Sequence, residues 1–293
     1  MMRRKGGIFL ELCDTAVIRA LLERHGFHFS KAKGQNFLTD RSVPERIAEM
    51  SGVDASCGVL EVGPGIGCLT QELCRRAGHV AAVEVDERLR PVLSETMADF
   101  SNLSLVFADI LKTDIPALVA RELGGLRPVA CANLPYYITT PVLAALLESR
   151  CFTRVTVMVQ KEVAQRICAA AGTPEYGAFS VFCRYYAEPE LLFDVPPSCF
   201  VPQPKVTSAV LTLAVRTDPP CEILSEEMFF RVVRAAFAQR RKTLVNCLAA
   251  SFPQGKQALA ELLAGLGIAP TVRGETLELT QFAAIANALC REA

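Results

Sequence analysis

Two hydrophobic periods alternate along the first half of the chain. Runs of four to eight consecutive, mostly apolar residues are separated by longer stretches in which apolar residues recur every three or four positions. Unbroken apolar runs are typical of buried strands, and the longer period is typical of amphipathic helices. The pattern predicts strands at 58–62, 80–85, 103–107, 129–132 and 153–160, and helices at 43–50, 69–77 and 87–99.

Strands that alternate with helices favour an α/β fold with a parallel, doubly wound sheet. Such sheets bind ligands at the carboxyl ends of their strands. Gly63, Glu84, Asp109 and Asn133 each fall at or just beyond the end of a predicted strand. We therefore expect these four residues to border one ligand site at the same edge of the sheet.

The pattern changes after residue 216. The segment Arg216-Thr217-Asp218-Pro219-Pro220 is typical of a linker. Beyond it the sequence predicts helices only, at 226–250, 257–266 and 279–289. We therefore predict two domains, a sheet domain at 1–216 and a small all-helical domain at 217–293.

Composition excludes several classes of protein. Twelve cysteines contain no C-x-x-C pair and lie mostly among Ala, Val and Leu, so we expect buried thiols rather than a disulfide scaffold. With three His and no paired ligands, we expect no metal site. No apolar run approaches the ~18 residues of a membrane span. Glu11 and Asp14 interrupt the apolar core that a signal peptide would need, which favours a cytoplasmic protein.

The segment Glu61-Val62-Gly63-Pro64-Gly65-Ile66-Gly67 follows a predicted strand and precedes a predicted helix. Glycines there let the backbone approach a ligand closely. A dinucleotide fingerprint would need a third Gly at position 68, which is Cys. Glu84 lies 21 positions after Gly63, the spacing expected of a carboxylate that binds ribose hydroxyls. These features favour S-adenosylmethionine over NAD, while a purely structural glycine turn remains the alternative.

Asp109 is less specific than Glu84. It ends the third predicted strand, where its carboxylate could accept a hydrogen bond from an adenine amino group. The alternative role for a single Asp at this position is to cap a helix.

The tetrapeptide Asn133-Leu134-Pro135-Tyr136 is the most specific signal in the chain. The exocyclic amine of a base is a poor nucleophile because its lone pair is delocalised into the ring. The Asn133 amide oxygen and the Leu134 carbonyl oxygen could accept hydrogen bonds from its two N–H groups, because Pro135 stiffens the turn that carries both oxygens. Tyr136 could stack on the base and stabilise the positive charge that develops.

With these motifs the chain resembles the ribosomal RNA adenine N6-dimethyltransferases over nearly its whole length. Gly34-Gln35-Asn36-Phe37-Leu38-Thr39-Asp40 is similar to the family's entry motif, and 61–67 to its methionine-side loop. Phe200-Val201-Pro202-Gln203-Pro204-Lys205-Val206 resembles a later motif. The resemblance implies a Rossmann-like S-adenosylmethionine-dependent methyltransferase sheet. It also implies that Asn36, Leu38 and Asn133 contact the cofactor, and that Phe200 sandwiches the target base opposite Tyr136.

Two branches of the family are compatible with the site motifs. Residues 133–141 and 236–244 resemble the bacterial small-subunit enzymes, which dimethylate two adjacent adenosines near the 3′ end of the RNA. That branch implies an immature 30S subunit as partner, a role in ribosome biogenesis and a monomer. The alternatives are a large-subunit enzyme that confers antibiotic resistance and a mainly non-catalytic assembly factor. A dehydrogenase is disfavoured because the third glycine is missing.

Basic residues are concentrated in the predicted helix 226–250, although 31 Lys and Arg balance 31 Asp and Glu overall. From 231 to 242 there are five basic residues and no acidic one. Without acidic neighbours these cations are available for phosphate. We predict that Arg234, Arg240, Arg241 and Lys242 bind the RNA backbone; the alternative is a solvated basic face.

Overall fold

The computed structural model describes residues 10–27 and 36–291. Contacts divide the chain into two units. The first unit comprises Met1–Ala164 and Glu190–Val215, and the second comprises Gln165–Pro189 and Arg216–Ala293. Residues 1–9, 28–35 and 292–293, which include Gly34 and Gln35 of the predicted entry motif, lie outside the described part of the chain.

A seven-stranded sheet forms the centre of the first unit, in the order β4-β3-β2-β5-β6-β9-β7. A separate two-stranded ribbon pairs β1 with β8 in antiparallel fashion. The strands are β1 (Phe37–Leu38), β2 (Cys57–Val62), β3 (His79–Glu84), β4 (Leu103–Phe107), β5 (Arg127–Asn133), β6 (Arg154–Gln160), β7 (Ala187–Val195), β8 (Phe200–Val201) and β9 (Ser208–Val215).

Helices pack around this sheet, and α3, α5 and α6 contact its strands directly. Strand β2 is buried at all six positions, as expected of a strand covered on both faces. The helices in chain order are α1 (Thr15–Arg24), α2 (Ser42–Met50), α3 (Cys68–Cys74), α4 (Arg90–Thr96), α5 (Ile115–Leu123), α6 (Thr139–Glu148) and α7 (Lys161–Cys168).

The five predicted strands are all present, and they pair in parallel. In this register Val62 pairs with Val83 and with Ala132, so β2, β3 and β5 end beside one another. The Rossmann-like α/β prediction is therefore confirmed, and Gly63, Glu84 and Asn133 follow or end neighbouring strands. Asp109 follows β4 at the edge of the sheet.

The sheet extends beyond the five predicted parallel strands at one side. Strand β9 is antiparallel to β6, with Ser208 opposite Gln160, and β7 lies beyond it. The sheet is therefore mixed. The alternation of strands with α-helices stops after β7, because only the short 3₁₀ helix Pro197–Cys199 and strand β8 separate β7 from β9.

The second unit is helical, apart from the start of β7. Its core contains the fully buried rings of Phe229 and Phe282, and the Tyr176 hydroxyl donates to the Leu277 carbonyl at 3.0 Å. Its helices are α8 (Ala178–Tyr186), α9 (Glu226–Phe237), α10 (Leu244–Ala249), α11 (Lys256–Gly265) and α12 (Leu279–Arg291).

The structure draws the domain boundary differently from the prediction of 1–216 and 217–293. Residues 165–189 belong to the second unit because the aromatic side chains of α8 pack on α9. The rings of Tyr185 and Phe229 are 5.1 Å apart, and those of Phe182 and Phe230 are 5.5 Å apart. The helical unit is therefore assembled from two separate stretches of sequence.

The predicted single helix at 226–250 is also wrong. α9 ends at Phe237, and α10 begins at Leu244. Between them the Lys242 amide donates to the Gln239 carbonyl at 2.9 Å, and Thr243 adopts extended backbone angles. The break has a physical reason: the run Gln239-Arg240-Arg241-Lys242 offers no apolar side chain to bury, so packing does not hold it in helix.

All twelve cysteines are free thiols, and most of them are buried. Within the described residues, no helix combines the length and apolar character needed to cross a bilayer.

One carboxyl group lies inside the sheet. Glu61 on β2 is 1% exposed, and its Oε2 has no hydrogen-bond partner among the described residues. Burial raises the pKa of Glu61 to about 8; the Thr70 hydroxyl lowers it in part, and the charge of Glu84 raises it further. Glu61 therefore keeps its proton near neutral pH, because a charged carboxylate is poorly solvated there.

We expect the free energy of unfolding to fall as pH rises from about 4.5 to about 8. The folded protein holds the Glu61 proton, with its pKa of about 8, whereas the unfolded chain releases it near 4.5. Glu61→Gln removes the titrating proton and should flatten this decline. Urea unfolding at several pH values checks the slope. Glu49→Gln, at an exposed position of α2, should keep the wild-type slope, and an equally steep decline in Glu61→Gln would contradict the assignment.

Candidate active site

The loop after β2 requires glycine at three positions. Gly63, Gly65 and Gly67 have φ values of 73°, 60° and 99°, a region that other residues rarely adopt. A Cβ on Gly65 would lie 3.2 Å from the Phe37 ring, and one on Gly67 would collide with the Met97 side chain. The loop therefore presents bare backbone at the carboxyl edge of the sheet.

Glu84, the last residue of β3, is tied to this loop. Its Oε2 accepts a hydrogen bond from the Gly65 amide at 3.3 Å, and its Oε1 accepts one from the Asp86 amide at 2.8 Å. Burial raises the pKa of Glu84, and these two amides oppose the rise. The carboxylate has further lone pairs, so it can hold the glycine loop and still accept hydrogen bonds from a ligand.

The tetrapeptide 133–136 leaves β5 in a tight turn. The Leu134 amide donates to the Met158 carbonyl at 3.1 Å, which fixes the turn to β6. The Ile138 amide donates to the Pro135 carbonyl at 3.1 Å and closes a short 3₁₀ helix, Tyr136–Ile138. Asn133 thus stands at the sheet edge while Leu134 is buried.

The two aromatic residues that are predicted to sandwich the target base, Tyr136 and Phe200, belong to different structural elements. Tyr136 is partly exposed, and its hydroxyl is 2.7 Å from that of Ser208. Burial raises the pKa of Tyr136, and the Ser208 hydroxyl lowers it in part. Phe200 belongs to β8, which pairs with β1, and it is only 3% exposed within the main apolar core. Phe200 is thus a core residue as well as a residue of the site.

A cleft that is partly open to solvent brings most of the predicted residues together. It is lined by Asn36, Phe37, Leu38, Pro64, Gly65, Ile66, Cys68, Leu69, Asn133, Leu134, Pro135, Tyr136 and Phe200. Gly63, Glu84 and Asp109 are not part of this lining, although Glu84 is bonded to Gly65. The entry motif, the glycine loop, the tetrapeptide and the later motif therefore meet in one place.

Asp109 caps a short helix, which is the alternative role that the sequence allows for a single Asp at this position. Its Oδ1 accepts from the Leu111 amide at 3.0 Å and caps the short helix Ile110–Lys112. Its Oδ2 is 3.7 Å from the Lys112 ammonium group. One carboxylate can cap this helix and also accept a bond from a ligand, so its cofactor role stays a prediction.

Several residues of the site were missed from the sequence. Phe37, Ile66, Cys68 and Leu69 line the cleft, and Ser208 contacts Tyr136. Phe37 lies in the entry motif between Asn36 and Leu38. No periodic signal singles out Ser208, because its contact spans 72 residues.

The basic residues of the second unit do not share one helical face. Arg234 lies on α9, whereas Arg240, Arg241 and Lys242 lie in the turn before α10. Arg240 donates to the Pro174 carbonyl at 2.6 Å and is 3.8 Å from Glu275. Arg234, Arg241 and Lys242 are exposed and form no ion pair with the described residues. Arg240, Arg241 and Lys242 border a surface depression of about 490 Å³ together with Gln239.

The cleft fits an adenosine-type cofactor. A Cβ on Gly63 would meet no atom within 4 Å, so the loop borders open space, and Glu84 supplies a buried carboxylate beside it. Backbone amides, a carboxylate and apolar walls match the polar and apolar parts of such a molecule.

Comparison with known proteins agrees with this geometry. A family model described as ribosomal RNA adenine dimethylase matches residues 26–290. The ribosomal RNA small subunit methyltransferase A of Geobacillus thermodenitrificans is 45% identical over 276 residues, which is 92% of this chain and 94% of that protein. The protein of the same name from Bacillus mycoides is 46% identical over 274 residues, which is 92% of this chain and 94% of that protein.

Two solved structures are similar over most of the chain. The 23S rRNA methyltransferase ErmE has a TM-score of 0.66 at 28% identity, covering 87% of this chain and 99% of that one. A dimethyladenosine transferase from Plasmodium falciparum has a TM-score of 0.73 at 24% identity, covering 85% of this chain and 95% of that one, and shows the same fold. The chain belongs to the ribosomal RNA adenine dimethylase family.

Proposed function

We propose that this protein transfers methyl groups from S-adenosylmethionine to N6 of two adjacent adenosines near the 3′ end of small-subunit ribosomal RNA. One observation carries the proposal. A single cleft is bordered by the glycine loop, by the Asn133–Tyr136 turn and by Phe200. A site for an adenosine-type cofactor therefore adjoins a set of groups suited to a planar amine.

The cofactor supplies the electrophilic methyl group when bound. Gly63, Gly65 and the carboxylate of Glu84 would hold its adenosine part, and Asp109 would reach its base amine. Asn36, Leu38 and Asn133 would contact the rest of it. Support comes from the open space over Gly63 and from the Glu84–Gly65 hydrogen bond, which keeps the carboxylate beside the loop.

The residues of the turn would prepare the target amine. The Asn133 amide oxygen and the Leu134 carbonyl oxygen would accept hydrogen bonds from its two N–H groups. These hydrogen bonds would localise the lone pair on the nitrogen. Tyr136 and Phe200 would stack on the flipped-out adenine, as enzymes that act on a base require. No general base is needed before attack, because the amine loses its proton only after the methyl group has arrived. The enzyme would act by positioning and charge stabilisation.

The small-subunit substrate is favoured by the pattern of similarity. Relatives named for the small subunit are 45–46% identical over about nine-tenths of the chain, whereas the solved 23S rRNA enzyme is 28% identical. A purely non-catalytic assembly role is disfavoured by the intact cleft. The partner would be RNA within the immature 30S subunit, bound by a cytoplasmic monomer.

A second RNA contact is proposed for the helical unit. Arg234, Arg241 and Lys242 extend into solvent without ion pairs among the described residues, so they can bind phosphate. Arg240 is already bonded to the Pro174 carbonyl, so its side chain has less freedom to reach RNA.

Removal of the Asn133 amide tests the catalytic assignment. We expect Asn133→Ala to lower the rate of methyl transfer by roughly 10²-fold or more, the scale for losing one preorganised polar contact. Single-turnover transfer from labelled S-adenosylmethionine to immature 30S subunits measures it, and calorimetry shows whether the cofactor still binds. Asn246→Ala, in α10 and bonded to Thr243, is the matched control and should transfer normally. Near-normal transfer by Asn133→Ala would contradict the assigned role.

Removal of the Glu84 carboxylate tests the cofactor site. Charge-assisted hydrogen bonds contribute ~1.5–3 kcal/mol each, so Glu84→Ala should weaken cofactor binding by about ten- to a few hundred-fold. Calorimetric titration with S-adenosylmethionine gives the dissociation constant, and circular dichroism checks the fold. Glu87→Ala, three residues on at an exposed site paired with Arg90, should bind the cofactor as the wild type does. Unchanged affinity in Glu84→Ala would refute the ribose assignment.

The salt dependence of RNA binding tests the basic turn. Each phosphate contact contributes roughly 0.7–0.9 to the slope of log affinity against log salt. Arg241→Ala/Lys242→Ala should therefore weaken binding to immature 30S subunits and reduce the slope by about 1.4–1.8, while cofactor affinity stays the same. Lys256→Ala/Arg291→Ala removes the same charge from exposed positions of the same unit and serves as control. Equal slopes in both double variants would show that the turn is an ordinary solvated surface and does not contact phosphate.

A further inference from the structure

Ser208 is a buried polar residue that the proposed chemistry does not use. It is the first residue of β9 and is 0% exposed. Its position is fixed by antiparallel pairing with Gln160 on β6. The Ser208 hydroxyl is 2.7 Å from the Tyr136 hydroxyl, and the two share one hydrogen bond.

This hydrogen bond joins a rigid strand to a residue of the cleft. Tyr136 is the first residue of the short 3₁₀ helix that follows Pro135, and its side chain is partly exposed. A tyrosine ring held only at its Cβ can rotate about two torsions. The phenol oxygen lies on the axis of the second torsion, so the contact with Ser208 restricts the first torsion and fixes the direction of the ring's long axis.

A second hydroxyl pair on the same strand shows what an ordinary sheet contact looks like. Thr156 on β6 and Thr212 on β9 have their hydroxyls 3.1 Å apart, and both side chains are buried. Neither residue lines the cleft. The Ser208 pair differs because its partner, Tyr136, lines the cleft directly.

We propose that Ser208 is a positioning residue, which holds the long axis of the Tyr136 ring where the ring can stack on a target adenine. The inference rests on the proposed function, since it assumes that Tyr136 stacks on the base. Two rings stack only within a short range of centroid separations, so an aromatic wall is effective only where its ring is held in place. A phenol keeps its proton at neutral pH, and burial raises the pKa of Tyr136 further, so its O–H is available for the hydrogen bond.

Two variants remove this hydrogen bond from opposite sides. Ser208→Ala deletes one hydroxyl and Tyr136→Phe deletes the other, while both keep the ring. Each should lower the rate of methyl transfer by about five- to tenfold, the scale of one net hydrogen bond. The double variant should lose no more than either single variant, because the same contact is removed in each. Ser208→Thr keeps the hydroxyl and should retain most of the rate.

Base stacking gives a readout that a purely structural role would not change. RNA carrying 2-aminopurine at the target position should be less quenched when bound to Ser208→Ala than to the wild type. Thr212→Val removes a buried hydroxyl from the same strand and is the matched control. It should leave quenching, transfer rate and cofactor affinity unchanged, even where it lowers the melting temperature.

The outcomes separate this inference from the proposed function. Loss of transfer in Asn133→Ala, together with wild-type transfer and quenching in Ser208→Ala and Tyr136→Phe, overturns the positioning role alone. An equal effect of Thr212→Val would assign the loss to strand packing and also overturn it. Should Ser208→Ala fail to fold, Tyr136→Phe still decides the question. Absence of methyl transfer to ribosomal RNA by the wild type would instead overturn the proposed function.

Discussion

The in-register parallel pairing of β2 with β3 and β5 is the constraint on which the site depends. Val62 lies opposite both Val83 and Ala132, so the three strands end together and the residues that follow them share one edge. A shift of one residue in any strand would also turn its side chains to the other face of the sheet. The buried strands leave little room for such a shift, since β2 is buried at all six positions. The glycine loop, Glu84 and Asn133 are therefore placed by core packing.

The remaining part of the cleft comes from long-range pairing. β1 and β8 are two residues each, and they are separated by more than 160 positions, yet their pairing places Phe37 and Leu38 beside Phe200. Phe37, Leu38 and Phe200 all belong to the main core, and Val201 packs against it. The apolar walls of the cleft are consequently as fixed as the core itself, and the polar groups project between them.

Strands and site motifs could be predicted from the sequence because both are local signals. The five apolar runs match five strands to within about two residues at each end, and Leu103–Phe107 matches fully. The signals that failed were non-local. Helix α8 belongs to the second unit because Tyr185 and Phe182 pack on α9. The helix predicted at 226–250 is interrupted because the four polar residues 239–242 have no apolar side chain to bury. Antiparallel β9 and the burial of Phe200 likewise follow from pairing that periodicity does not report.

The two aromatic walls of the proposed slot are held by different physical means. Phe200 is fixed by apolar packing and strand pairing, so its position can change only if the core changes. Tyr136 has an open side, and a hydrogen bond at its far end supplies the order that packing does not. A wall that is ordered before binding loses less side-chain entropy when a base enters. Since a flipped base has already lost its stacking in RNA, the slot gains most from walls that need no rearrangement. The buried hydroxyl pair beside the cleft therefore orders Tyr136 before a base enters.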